Sequence, residues 1–248
     1  MTDKKRLLVV VPCYNEELVL EKTISAIFEY ATRYLNNYEW DILIVDNNSK
    51  DRTWDIAKGL AKNNKFVGKV IADQVRVPAR GTALKTVFMK YNSYDIYSYM
   101  DADLATDIKD FLFIVDKVDE GYDLVTGSRY LSHSDVRRTF KRKFLSKVYN
   151  IIIRLVLKAN FRDAQCGFKA FSKKIVTELV PKTEDPGWFW DTELMIYASR
   201  HGYKVLEVPV SWREIRDELR VSTVSVYSEV IRNLKNINLM RKKVEQWT

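Results

Sequence analysis

Residues 96–106 read Ile-Tyr-Ser-Tyr-Met-Asp-Ala-Asp-Leu-Ala-Thr, a short β-favouring run that ends abruptly in two carboxylates, Asp101 and Asp103. Such a run bounded by polar residues reads as a buried strand, Ile96 to Met100, with both acids at its carboxyl end. The same arrangement recurs on either side. Leu7 to Val11 runs into Pro12-Cys13-Tyr14-Asn15-Glu16, and Ile42 to Val45 runs into Asp46-Asn47-Asn48-Ser49. Phe66 to Ala72 and Leu124 to Thr126 supply two further runs. Helical patterns near 17–35, 53–63, 80–91 and 107–119 separate them, with Thr53 or Asp51 and Thr106 or Asp107 as candidate N-terminal caps. Strands alternating with helices specify an α/β fold, a Rossmann-like, open and mostly parallel sheet flanked by helices. Ligands of such sheets bind beyond the carboxyl ends of the strands, where all three polar clusters fall.

Composition narrows the chemistry. The 248 residues are 46% apolar and 12% aromatic, enough for one substantial core, and no Ser/Gly/Pro-rich linker divides them. A single domain is expected. Cys13 and Cys166 stand far apart and outside any metal-ligand spacing, which reads as two reduced, buried thiols. With two histidines in all, zinc and Ser/His/Asp sites are poorly supplied, so catalysis rests on carboxylates and basic groups. A formal charge of +8 favours an anionic partner: a nucleotide, a lipid phosphate, a membrane or a nucleic acid. No RNP, zinc-finger or recognition-helix pattern accompanies the charge, which argues against nucleic acid.

Beyond residue 130 the pattern changes. The segment 136–158, VRRTFKRKFLSKVYNIIIRLVLK, holds eight Arg and Lys and no Asp or Glu. Phe140, Phe144, Val148, Ile152, Leu155 and Val156 recur in it at helical spacing, which predicts an amphipathic helix lying on an anionic membrane surface. The alternative is a stripe packed on the protein's own core. Asp163 to Lys169, a helix near 172–180, Trp188-Phe189-Trp190, a helix near 191–201 and a strand Val205 to Val210 follow, and a helical tail covers about 224–243. The expected organisation is a catalytic unit over 1–215, containing the interface helix, and a helical tail over 216–248.

An Asp-x-Asp tripeptide alone describes a solvated turn as well as a cation site. Position favours the cation, because Asp46 ends a neighbouring strand, and three converging acids repel one another unless a cation or donors offset them. Seven blocks then bear on family: VPCYNEE (11–17), IVDNNSKDRT (44–53), RGTALKT (80–86), DADLAT (101–106), GSRY (127–130), QCGFKAF (165–171) and WFWDTEL (188–194). In this order they make the chain resemble the inverting family 2 glycosyltransferases of GT-A fold, and within them the polyprenyl- or dolichyl-phosphate glucosyl- and mannosyltransferases.

The resemblance implies that Pro12, Tyr14 and Glu16 line a nucleoside pocket, with Asp46 on the base or ribose. It implies that Asp101 and Asp103 hold Mg2+ or Mn2+ against the diphosphate of a UDP- or GDP-linked sugar. Arg80 and Lys85 flank a helix start suited to an anion. Arg129 faces donor or acceptor phosphates, or is a surface charge. Asp191 and Glu193 stand where relatives with hydroxyl acceptors keep a base, and here are expected to orient the sugar or the acceptor. Trp188 and Trp190 pack on ligand or in the core. Arg213, Arg216 and Arg220 follow the last strand as candidates to close over phosphates.

Three departures qualify the match. Arg80-Gly81-Thr82 replaces the family's usual Gly-Lys-Gly, Ala105 stands where mannosyl enzymes commonly have Gln, and REIRDELRVS replaces an Arg followed by Gly-x-Ser-Lys. The Ala-Thr pair of DADLAT and the QCGFK block are more similar to the dolichyl-phosphate glucosyltransferases, a resemblance that implies UDP-glucose over GDP-mannose. The implied partners are a nucleotide sugar, a polyprenyl or dolichyl phosphate and an anionic membrane. The implied location is peripheral, on the cytoplasmic face of a membrane, because no apolar run approaches spanning length.

Overall fold

The computed structural model describes residues 4–66, 68–137, 140–213 and 226–245. Arg138, Arg216 and Arg220 lie outside the described residues, as do the side chains of residues 140–145, 226–231, 233, 234 and 245.

The sheet grows from the apolar runs. β1 (Arg6–Cys13), β2 (Glu39–Asp46), β3 (Val70–Gln74), β4 (Ile96–Met100), β5 (Leu124–Ser128), β7 (Phe168–Ser172) and β8 (Val205–Pro209) pair in the order β3-β2-β1-β4-β7-β5-β8. All pairings are parallel except those of β7, which is antiparallel to both β4 and β5. The sequence pattern did not reveal β7, which takes up the second half of the QCGFKAF block and Ser172. A strand order that reverses about β1 leaves a crevice at the carboxyl ends of β1, β2 and β4.

Side chains alternate along each strand, and both faces are covered. Leu8, Val10, Leu43 and Val45 point into one core; Leu7, Val9, Val11, Ile42 and Ile44 point into the other. The second core is sealed by α1 (Leu20–Tyr34), α2 (Thr53–Lys62) and α4 (Phe111–Asp119). The first is sealed by α3 (Arg80–Lys90), α5 (Phe140–Val156), α6 (Lys173–Glu178) and α7 (Trp190–Arg200). α8 (Val226–Glu245), in the tail, sets Ile237, Met240 and Val244 into that same core. A fully buried Leu or Val contributes about 1.5–3 kcal/mol, so these seats anchor α8 firmly.

Val136 and Arg137, expected to begin the basic helix, instead lie in β6 (Asp135–Arg137), which pairs with β9 (Ser211–Arg213) in a separate parallel ribbon. Trp212 of β9 also bridges Thr106, fixing the ribbon beside the Asp101–Asp103 turn. Asn15, Asn48 and Leu104 adopt positive φ just beyond β1, β2 and β4. The left-handed region suits Asn but is costly for Leu, so strain collects at the crevice.

Both thiols are free and buried. Burial pushes the Cys166 thiol up to about 12 and Cys13 well above its ordinary range. Both therefore stay protonated at pH 8, and a thiolate-specific disulfide reagent is expected to label neither thiol in the native chain and both in urea. Rapid native labelling would contradict this packing.

Candidate active site

The crevice holds a cavity of about 410 Å3. Pro12, Cys13, Tyr14 and Glu16 form one wall, Asn47 and Pro78 another, and Asp101, Ala102 and Asp103 the floor. Arg80 and Trp188 close it from the side of α3 and α7. Its walls are cross-braced. Ser49 Oγ accepts the Asn15 amide at 3.0 Å, Asn15 Oδ1 accepts the Lys50 amide at 2.8 Å, and Thr53 Oγ1 accepts the Glu16 amide at 2.7 Å.

Arg80 organises the floor. Its side chain is 9% exposed, and its two terminal nitrogens reach Asp191 Oδ2 at 2.5 Å and Asp101 Oδ1 at 3.1 Å. The guanidinium also faces the Tyr99 and Trp188 rings, with centroids at 5.3 and 4.9 Å. Asp191, in the first turn of α7, takes a further hydrogen bond from the Tyr99 hydroxyl and an ion pair at 3.5 Å from Lys169. Lys169 is wholly buried in β7 and also donates to the carbonyls of Ala164 and Cys166. Burial alone would raise the Asp191 carboxyl, but Arg80 and Lys169 hold it below its ordinary value. Burial and the adjacent Asp191 push the Tyr99 phenol well up, so it stays a donor.

Asp101 is tuned the other way. Desolvation raises its carboxyl; Arg80 pulls it down, and Asp103 and Asp191 push it up again. Its side chain remains 40% exposed to the cavity. Gly167 makes this placement possible: its carbonyl accepts the Asp101 amide at 3.1 Å, and a Cβ there would collide with the Asp101 carboxylate. Thr23 of α1 donates to the Ala102 carbonyl at 2.6 Å, and the Ala105 amide donates to Asp103 Oδ1 at 3.0 Å.

Other residues expected at the site stand back from the cavity lining. Asp46 is fully buried, accepting Gln74 Nε2 at 2.8 Å and the Ser49 amide at 3.3 Å. Arg129 turns inward onto Asp163, donating from Nε at 2.7 Å, from a terminal nitrogen at 2.8 Å and from its backbone at 2.9 Å. Burial would raise Asp163, and Arg129 holds it below its ordinary value. Lys85 does not face an anion; its ammonium is shared between the carbonyls of Pro181 and Thr183 at 2.9 and 2.6 Å. Glu193 accepts the amides of Glu184 and Asp185, both at 2.8 Å, and so holds a turn. Arg213 is exposed at the end of β9, its amide donating to the Ala105 carbonyl at 2.8 Å, two residues from Asp103. Lys169, Asp163 and Gly167, quoted in the sequence blocks without a role, brace this site. One lysine inside the otherwise apolar FKAF run was the signal for the first of them.

Among the described residues no group of three or more His, Cys, Asp or Glu converges as a metal cage. Two carboxylates on an open cavity floor, one of them raised by desolvation and by its acidic neighbours, are the residues that would hold a hard divalent cation.

An open α/β sheet with one antiparallel strand, and an Asp-x-Asp turn at the floor of its crevice, defines a GT-A glycosyltransferase architecture. The chain belongs to glycosyl transferase family 2, whose model matches residues 8–180. It is 36% identical over 217 residues to glycosyltransferase AglD of Haloferax volcanii, covering 87% of this chain and 34% of that protein. It is 32% identical over 216 residues to dolichyl-phosphate beta-glucosyltransferase ALG5D of Trichomonas vaginalis, covering 83% of this chain and 65% of that one. The chain thus spans about a third and just under two thirds of the length of these relatives. The fold is shared with glucosyl-3-phosphoglycerate synthase of Mycobacterium tuberculosis, solved with Mn2+, uridine diphosphate and phosphoglyceric acid. The TM-score is 0.67 at 18% identity, over 96% of this chain and 78% of that one.

Removing the Arg129 side chain would leave the buried Asp163 carboxylate without its paired guanidinium, held only by backbone amides and the field of Lys169, so Arg129→Met is expected to lower stability in urea titrations by about 3–5 kcal/mol at pH 7. Because the Asp163 carboxyl is held below its unfolded value of about 3.9, this contribution is present above that pH and fades as pH falls through the lower folded value. A difference under about 1 kcal/mol, the worth of an exposed pair, would mean that the pair is only a surface contact.

Proposed function

We propose that the chain catalyses inverting transfer of a hexose from a nucleotide sugar, UDP-glucose foremost, to a polyprenyl or dolichyl phosphate at a membrane surface. The observation that carries this reading is the state of Asp191. In the block where hydroxyl-using relatives keep a base, this carboxylate is buried, paired with Arg80 and Lys169, and held below its ordinary value. It is not free to take a proton. A phosphate monoester, with a second pKa of about 6, is already an anion and needs no base. One of its oxygens attacks the anomeric carbon, the bond from that carbon to the diphosphate oxygen breaks, and the nucleoside diphosphate leaves.

The chain's own residues then align and neutralise. Pro12, Tyr14 and Glu16 embrace the nucleoside, Asp46 braces that wall from behind, and Arg80 stands beside the diphosphate. Arg213, beside the Asp103 turn, reaches toward the phosphates. Mg2+ or Mn2+ held by Asp101 and Asp103 would supply counter-charge to the leaving diphosphate. The name of the Trichomonas relative and the Mn2+ and uridine diphosphate of the mycobacterial structure support the choice of donor, acceptor and metal.

The membrane part of the proposal rests on α5. Val148, Ile151, Leu155 and Val156 are exposed, Leu155 at 75%, beside the exposed Lys147 and Arg154. Ile152, expected on this face, packs partly against the core, and Ile151 takes its place. An exposed apolar strip flanked by cations suits an anionic interface, where each basic residue contributes about 1 kcal/mol before screening. Among the described residues no helix is long and apolar enough to cross a membrane. Two free thiols accord with the cytoplasmic face.

With a short prenyl phosphate and a panel of UDP- and GDP-sugars, UDP-glucose is expected to give the highest turnover. Excess chelator or Asp103→Asn should lower it at least about a hundredfold, equivalent to about 2.7 kcal/mol of barrier, with unchanged circular dichroism. Full activity in chelator would overturn the metal assignment, and transfer to a soluble sugar hydroxyl alone would overturn the acceptor. Flotation with anionic liposomes at low salt should carry the native chain. The combined Lys141→Glu, Arg142→Glu and Lys143→Glu variant should remain behind; equal flotation of both would refute the interface helix.

A further inference from the structure

Trp188 occupies an unusual place on the cavity wall. It is 42% exposed, its ring lies 4.9 Å from the Arg80 guanidinium, and it leaves a turn, residues 184–188, that belongs to no helix or strand. Large aromatic rings on exposed turns sample several orientations unless the turn is held. This turn is held from three sides. From α3, the Thr82 amide donates to the Pro186 carbonyl at 3.2 Å. Gly81 is required there, because a Cβ would press on the carbonyls of Asp185 and Gly187. From α7, Glu193 accepts the amides of Glu184 and Asp185. From α8, Asn236 Nδ2 donates to Asp185 Oδ2 at 2.6 Å, and Lys243 pairs with Glu184 at 2.8 Å and with Glu193 at 3.7 Å. Asp185 spends its other oxygen on the Gly187 amide, one residue before Trp188.

We propose that α8 is a positioning element of the donor site: Asn236 and Lys243 fix the 184–188 turn and thereby fix Trp188 against Arg80. The family match ends at residue 180, so this contribution comes from a part of the chain outside it. The apolar seat of Ile237, Met240 and Val244 holds α8 in place, and the two polar side chains transmit that fixity to the turn. Neither Asn236 nor Lys243 lines the donor cavity, so each acts through Trp188. The inference rests on the donor-site reading above for its catalytic consequence, while its structural core stands apart from it. A pre-set Trp188 spares the donor the cost of ordering one large side chain, a factor of about 3 to 10 in affinity.

Two readouts on the full chain test this. With 5-fluorotryptophan incorporated, the Trp188 fluorine line is assigned by its loss in Trp188→Phe. Asn236→Ala and Lys243→Gln are each expected to shift or broaden that line, and Lys243→Arg to restore it. The same two variants should raise the donor KM about 3- to 10-fold with kcat unchanged. In a Trp188→Ala background Asn236→Ala should add nothing, since both changes remove one coupled interaction. An unmoved Trp188 line in both variants, or KM effects that add to that of Trp188→Ala, would overturn the proposal even if sugar transfer proceeds as described. A line that moves in a chain that turns over no nucleotide sugar would support the positioning role and refute the function proposed for the site.

Discussion

Arg80 lies buried between two carboxylates, and a buried guanidinium tolerates no missing partner. That constraint arranges much of the molecule. Asp191 must come from the first turn of α7, Asp101 from the end of β4, and Arg80 from the first turn of α3, so three elements remote in sequence are tied at one point. Lys169 supplies a second cation behind Asp191, so the buried Asp191 and the partly exposed Asp101 are balanced by two buried bases. β7 runs antiparallel between β4 and β5, and Lys169 in β7 lies in register with Tyr99 of β4, the other partner of Asp191.

The consequence for chemistry is a division of labour among carboxylates of like pKa in water. Asp191 is locked as an anion by its cations; Asp101, with one oxygen on Arg80 and its side chain partly exposed beside Asp103, keeps capacity for a cation. Environment alone separates the two. Under the proposed reaction the engagement of Asp191 by its cations is no defect, because a phosphate acceptor carries its own charge. The Arg129–Asp163 pair buttresses the same region from β5, and the strained Leu104 turn points the acidic floor toward the ribbon that ends in Arg213.

Much of this was legible in the sequence, for physical reasons. Parallel strands buried on both faces read as continuous apolar runs, so β1, β4 and β5 were found close to their true limits; β2 was read over only its inner half, and β3 begins four residues later than expected, after a 3-10 turn at Asn64–Phe66. β6, β7 and β9 were not found. Two are three-residue strands of one ribbon with no periodicity to detect, and β7 carries a buried lysine that breaks an apolar pattern. Polar clusters at strand ends located the crevice, and Pro12, Tyr14, Glu16, Arg80, Asp101 and Asp103 do line it. Placement of long cations failed more often: Lys85 and Arg129 turn away to carbonyls and to Asp163, because a flexible side chain goes where a buried acceptor needs it, and sequence spacing does not record that. The replacement of Gly-Lys-Gly by Arg80-Gly81-Thr82 marked the residue on which the floor depends.

The Arg80–Asp191 pair, with Arg80 on the cavity wall and Asp191 buried behind it, sets the floor proposed to receive a metal–nucleotide complex. Calorimetric titration of Mn2+ and uridine diphosphate into the native chain and into Asp191→Asn tests it directly. The expected result is binding to the native chain and at least tenfold weaker binding, about 1.4 kcal/mol, to a folded Asp191→Asn, because Arg80, released from Asp191, is drawn more strongly onto Asp101. Equal affinity in the two folded proteins would contradict it.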